Sequence, residues 1–166
     1  MKKQATRSAQ WPLVAEFVAN YNDWVVDSAD GVKKTFGSTV ANSVDPAESG
    51  LTAATGLVFD CIKMPRGAVI DDVAVIVETA FVGIGAGATL SLGIAGSTTA
   101  LVNAQDLDAA AAGAKLTVAT FNPLLANGGQ DIRLTTASLT ATATAGKLRV
   151  RVRYTIDDRA NEATPA

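Results

Sequence analysis

Between Lys147 and Ile156 the chain alternates strictly: Leu148, Val150, Val152, Tyr154 and Ile156 take one phase, and Lys147, Arg149, Arg151, Arg153 and Thr155 the other. Side chains repeat with period two along a β-strand, so this pattern predicts a half-buried strand and fits no helix. It sets the three arginines roughly 6.7 Å apart along one exposed face. Other segments read the same way. Leu57–Met64 is an apolar run, and Val69–Phe81 is apolar on both faces, with Val73, Val75 and Val77 opposite Ala74 and Ile76. A strand of that kind belongs in the middle of a sandwich or beneath a partner. Ala88–Ile94 alternates with Leu90, Leu92 and Ile94 on one side, and Leu116–Phe121 and Asp131–Thr136 complete the longer strands.

Turn signals punctuate these runs. Trp24–Asp27 and Val32–Phe36 flank Ser28-Ala29-Asp30-Gly31, whose Asp-Gly predicts a hairpin. Residues 41–56 read as a surface loop turning at Asp45-Pro46, Pro65-Arg66-Gly67 is a break, and loops are expected at 127–129 and 138–146. Asn103 to Gly113 has a helical texture: Asn103 can cap, Asp106 and Asp108 fall in the first turns, and Gly113 can end it. The expected architecture is an all-β, antiparallel sandwich or barrel of eight or nine strands with one short helix. Its expected core holds Val73, Val75, Val77, Leu90, Leu92, Leu148, Val150 and Val152.

The first 22 residues stand apart. Trp11, Phe17, Tyr21 and Trp24 crowd together, both tryptophans of the chain among them, at a spacing that fits neither period well. A short helix over Leu13–Ala19 and an extended arm both satisfy the pattern. Such aromatics either anchor an arm on a partner or plug one end of the domain's own core. The organisation expected is an N-terminal arm over 1–22, a β-sandwich domain over 23–158 and a loose C-terminal tail over 159–166.

Composition narrows the function. The 166 residues suffice for one domain with a sizeable core; 48% are hydrophobic and only 5% aromatic. The net charge of -2 provides no global field toward nucleic acid or an anionic membrane. The uncharged stretch Thr79–Ala104 is long enough to span a bilayer, but five glycines and its alternating pieces favour a buried hairpin. The chain has no histidine, which removes the usual general base and metal ligand and excludes Ser-His-Asp and Cys-His chemistry. Cys61, the single cysteine, allows no intrachain disulfide and reads as a small buried hydrophobe.

Three motifs have bland readings. Gly83-Ile84-Gly85-Ala86-Gly87-Ala88 matches a loose dinucleotide fingerprint, but that motif needs a helix next, and Thr89-Leu90-Ser91-Leu92-Gly93 reads as a strand. A glycine hairpin loop is the better reading. Asp71-Asp72 and Asp157-Asp158 are adjacent on strands, so each pair would split between faces rather than form a metal site. Asp27 and Asp30 lack the other ligands of a calcium loop. No catalytic, cofactor or metal site is expected. The row Arg149, Arg151 and Arg153 is either a solvated face that discourages edge pairing or a contact for acidic groups on another protein.

The runs Met64-Pro65-Arg66-Gly67-Ala68-Val69-Ile70, Val77-Glu78-Thr79-Ala80-Phe81 and Ala88-Thr89-Leu90-Ser91-Leu92-Gly93 resemble a pattern common among small virion proteins of tailed bacteriophages. The closing Ala145-Gly146-Lys147-Leu148-Arg149-Val150-Arg151-Val152-Arg153-Tyr154, then Asp158-Arg159-Ala160-Asn161-Glu162, is similar to the end of those proteins, and Asp106-Leu107 to Gly113 sits where they carry a short helix. The resemblance spans residues 57–162 and rests on strand and turn patterns without chemistry. It implies a capsid decoration (cement) protein: a non-enzymatic, jelly-roll-like β-sandwich that binds the outside of the head and bridges neighbouring major capsid subunits. The expected partners are the major capsid protein and further copies in a homodimer or homotrimer, with Val69–Phe81 a candidate flank for self-association. No direct nucleic acid or membrane contact is expected. The place expected is the outer capsid surface of a virion, after synthesis in the host bacterial cytoplasm. The alternative is a tail- or fibre-associated sandwich binding host glycan or another tail protein. Candidate interface residues are Trp11, Phe17, Tyr21, Trp24, Arg149, Arg151 and Arg153.

Overall fold

The computed structural model describes residues 11–29, 31, 33–37, 56–118, 124–126 and 130–156. These residues form ten strands: β1 (Leu13–Asn20), β2 (Trp24–Val26), β3 (Lys33–Thr35), β4 (Gly56–Ile62), β5 (Ala68–Val82), β6 (Thr89–Ile94), β7 (Ser97–Asp106), β8 (Leu124–Ala126), β9 (Ile132–Ala137) and β10 (Ala145–Ile156). Two four-stranded sheets run β1-β10-β5-β8 and β4-β9-β6-β7, and β2 and β3 make a separate hairpin. Every pairing is antiparallel.

Setting the β2–β3 hairpin aside, the pairings nest: β6 with β7, β5 with β8, β4 with β9, and β1 with β10. The chain is thus one long nested hairpin rolled over itself, with β10 inserted between β1 and β5 and β9 between β4 and β6. That winding is a jelly roll. The alternation in the sequence drives it. Each sheet has one apolar face, and rolling the hairpin brings the two faces together.

From one sheet come Val73, Val75, Val77, Leu148, Val150 and Val152, and from the other Phe59, Leu90, Leu92, Ile132 and Leu134; all are buried. All eight expected core residues are among them. Each such side chain contributes about 1.5–3 kcal/mol relative to exposure. A chain of rings runs along the open side of the sandwich, Phe17 to Phe59 at 5.7 Å, Phe59 to Phe36 at 5.8 Å and Phe36 to Phe81 at 5.8 Å between centroids. Phe36 follows β3, so this cluster holds the β2–β3 hairpin against both sheets.

Several sequence expectations change. Leu13–Ala19 is neither helix nor free arm: it is the strand β1, paired with β10 from Leu13↔Tyr154 to Asn20↔Lys147. Its period was obscured by Trp11, Tyr21 and Trp24, which lie outside the strand or on another. The short helix over Asn103–Gly113 does not form. Asn103 to Asp106 ends β7, and Asp106 Oδ1 accepts from the Ala109 N–H at 2.9 Å in a turn, the same local bond that a helix cap would make. The alanines that follow offer little apolar surface to hold a helix on the sandwich. Instead Gly113 N–H donates to Val77 O at 2.7 Å and Leu116 N–H to Val75 O at 2.9 Å, laying this segment along β5. Of the expected strand Leu116–Phe121, Leu116 bonds β5 through its N–H, next to an isolated bridge between Lys115 and Ile76, and residues 119–121 lie outside the described residues.

The expected Asp-Gly hairpin is present, with Gly31 at φ 75° and its N–H donating to Asp27 O at 2.8 Å. The glycine loop 83–87 joins β5 in one sheet to β6 in the other, so it crosses the sandwich rather than closing a hairpin. Its buried Ile84 carbonyl accepts from Thr140 N–H at 3.1 Å, and a strand, β6, follows it. Thr79–Ala104 supplies the end of β5, β6 and most of β7; no helix among the described residues is long and apolar enough to cross a membrane. The loop 127–129, nearly all of 41–56, Asp157-Asp158 and the C-terminal tail lie outside the described residues.

Candidate interaction surface

The arginine row lies on the outer face of the β1-β10-β5-β8 sheet. Because β10 is flanked by β1 and β5, each outward β10 residue has one neighbour on either side: Arg149 lies opposite Val18 and Ile76, Arg151 opposite Glu16 and Ala74, and Arg153 opposite Val14 and Asp72. The charges interlock across the strands. Arg149 Nη1 is 2.7 Å from Glu16 Oε2, and its Nε is 2.5 Å from Glu78 Oε1. Lys147 Nζ is 2.9 Å from Glu78 Oε2, and Arg151 Nε is 3.4 Å from Glu16 Oε1. Arg149 thus bridges both neighbouring strands. Hydrogen bonds from Arg149 and then Lys147 hold the Glu78 carboxyl below its ordinary value, and Glu16 and Glu78 raise the Arg149 guanidinium further.

The three arginines therefore differ. Arg149 is half-buried and doubly bound, Arg151 is exposed and loosely paired, and Arg153 is exposed in an open groove with Val14, Asp72, Ala74 and Arg151. Sequence reasoning missed Glu16 and Glu78 as partners. The alternation of Val14, Glu16 and Val18 carried a signal for Glu16, but only once Leu13–Asn20 is read as a strand beside β10.

A β-bulge explains Asp71-Asp72. Arg153 pairs with Asp72 and Tyr154 with Ile70, so Asp71 is an extra residue and both carboxylates are exposed rather than split between faces. No group of three or more His, Cys, Asp or Glu side chains among the described residues is placed to hold a metal ion. Asp27 is buried and ties the hairpin down: Oδ2 is 2.5 Å from Lys34 Nζ, and Oδ1 accepts from Ala29 N–H at 2.9 Å. Cys61 is half-buried; its Sγ donates to Ile132 O at 3.3 Å, and burial pushes the thiol up to about 12.

The four N-terminal aromatics separate. Phe17 and Tyr21 pack partly buried against the core, and Tyr21 is further tied by its N–H to Gly146 O at 2.9 Å. Trp11 is 88% exposed just before β1, and Trp24 is half exposed on β2 with Lys33 Nζ 5.8 Å from its ring. With Leu13, Val14 and Val26 they make β1 and β2 the main apolar exposure of the described surface. An open groove runs beside them, lined by Phe17, Trp24, Val25, Val26 and Phe59.

No family model and no curated protein matches the chain. Among solved structures it is similar to a chain of the "Cyanophage Pam1 capsid asymmetric unit", with a TM-score of 0.53 at 19% identity, over 93% of this chain and 95% of that one. At that identity the likeness is one of fold, and it extends over nearly the whole of both chains.

Proposed function

We propose that this chain is a non-enzymatic structural protein of a tailed-phage virion, which binds the outside of the head and bridges neighbouring major capsid subunits. The observation that carries this reading is the likeness in fold, nearly end to end, to a chain of a phage capsid asymmetric unit. The surface supports it. Among the described residues, one open groove brings Asp72 to Arg151 and Arg153 and another is mainly apolar, while the β1–β2 rim offers exposed Trp11, Val14 and Trp24. A protein that binds only the assembled shell stabilises it by its own binding free energy. A rigid sandwich with a broad rim suits that task.

Within this reading the arginines divide their work. Arg149 holds β1 and β5 to β10, while Arg151 and Arg153 meet acidic groups of the shell, each such pair contributing about 0–1 kcal/mol. The test is to add the purified chain to heads that lack it, measure occupancy by cryo-EM at low and high salt, and compare Arg149→Ser with Arg153→Ser. The expected result is density on the outer surface of the head, lower occupancy for Arg153→Ser at low salt only, and a lowered melting temperature for Arg149→Ser alone. Density confined to the tail would favour the tail- or fibre-associated reading. Equal occupancy of Arg153→Ser and the parent at both salts would remove these arginines from the contact.

A further inference from the structure

β1 is an edge strand, paired with β10 over its whole length without a bulge. Tyr21 N–H donates to Gly146 O, and carrying that register back along the strand gives the inward backbone groups to the odd-numbered residues. The N–H and C=O groups of Val14, Glu16, Val18 and Asn20 therefore point away from β10. Asn20 is already satisfied: its N–H donates to Asp23 Oδ2 at 2.7 Å and its carbonyl accepts from Asp23 N–H at 3.0 Å. Among the described residues no backbone group pairs with the outward groups of Val14, Glu16 and Val18.

Natural edge strands are blunted by charged side chains, above all lysine, by proline or by a bulge. β1 has no lysine, proline or bulge, and its one charge, Glu16, is paired with Arg149 and Arg151 in its own sheet. Its two ends are also unlike: Trp11, Leu13 and Val14 protrude at the start, and Phe17 opens on the groove lined by Trp24, Val26 and Phe59 toward the end. A two-fold axis across such a strand brings each protruding end to the other copy's groove.

We propose that the open edge of β1 is the interface of a homodimer, in which two copies pair β1 with β1 antiparallel about a two-fold at Ala15 and join two sheets into one. Outward groups belong to even-numbered residues, so even must face even. Glu16 facing Glu16 would set like charges directly opposite. Val14 facing Glu16 of the second copy avoids this and allows about six backbone hydrogen bonds, the outermost from Val18 N–H to the carbonyl of Pro12, which has no N–H to leave unpaired. Leu13 then faces Phe17 of the second copy at the mouth of its groove. Arg153 lies opposite Val14 in its own sheet, so Arg153, Val14 and Glu16 of the second copy stand in one row. The exposed guanidinium gains a carboxylate.

The full chain is tested by sedimentation equilibrium. Val14→Pro removes an outward N–H that makes no bond to β10, so the sandwich survives; losing that bond twice in the dimer weakens association about thirtyfold. In a Cys61→Ser background, Ala15→Cys places two thiols across the axis with Cα atoms about 4.5 Å apart, inside disulfide range. Oxidation is expected to give a covalent dimer. A parent that sediments as a monomer or trimer overturns the proposal, as does a dimer that Val14→Pro leaves unchanged or that Ala15→Cys does not cross-link. None of these measurements involves heads, so failure here leaves the head-binding reading standing.

Discussion

Replacing Gly146 by alanine puts a single methyl group where the sandwich has no room for it. Gly146 is buried near the start of β10 at φ 148°, among register shifts that separate Ala145, Lys147 and Leu148 along β5. A Cβ built there falls 2.6 Å from Cγ and Cε1 of the Phe81 ring, where carbon atoms in contact need about 3.5 Å. The ring cannot step aside freely: Phe81 is buried and packs against Phe36, which packs in turn against Phe59. Overpacking of this kind costs about 1–3 kcal/mol, and the backbone conformation adds about 1 kcal/mol for any L side chain. The expected total is about 3 kcal/mol, which lowers the melting temperature of a chain this size by about 6–12 °C. Differential scanning calorimetry measures it directly. Phe81→Leu shrinks the obstructing group, so Gly146→Ala/Phe81→Leu should be about 1–2 kcal/mol more stable than the sum of the two single changes. A Gly146→Ala protein melting within about 2 °C of the parent would refute the steric argument. Strict additivity in the double-mutant cycle would refute the assignment to Phe81.

Two further outcomes follow from the charges and the thiol. Arg149 and Lys147 lower the Glu78 carboxyl below 4.5, so its contribution to stability is complete above that pH and is lost as pH falls through the lower folded value. Glu78→Gln should therefore flatten the parent's loss of melting temperature in that acid range, and parallel profiles would show that the pair is not coupled to folding. The Cys61 thiol, pushed up to about 12, is almost wholly protonated at pH 8, so a disulfide reagent should label it far more slowly in the native protein than in denaturant; equal rates would contradict its burial.

The parts of the fold legible in the sequence are those whose two faces differ. In β10 the alternation of Leu148, Val150 and Val152 with Arg149, Arg151 and Arg153 appears unchanged as buried and outward sides. The doubly apolar run of β5 is interior to its sheet, between β10 and β8, but only the Val73, Val75 and Val77 face is fully buried, and Ala74 and Ile76 on the other face are half-buried. β7 was harder to read, because Asn103, Asp106 and Gly113 carry helix-boundary chemistry that also serves a turn. The charged surface was legible by residue and not by role. Nothing near Arg149 in the chain announces Glu16 and Glu78, which lie on different strands and meet it only because β10 is inserted between them.

By itself, then, the sequence determined the class: a histidine-free chain with alternating strands and small-residue turns must bury one face of each strand, and a β-sandwich does so. It also marked part of the core, Val73, Val75, Val77, Leu90, Leu92, Leu148, Val150 and Val152, since a period of two assigns alternate side chains to opposite faces whatever the strand's neighbours are. Which strands become neighbours was decided only by the tertiary structure. The same alternation is compatible with many strand orders, and the nested winding selects one by closing both apolar faces together. That choice makes Arg149 a clasp, leaves Arg153 exposed, sends Phe17 and Tyr21 inward while Trp11 stays out, and turns Leu13–Asn20 from a seeming arm into the open edge of a sheet.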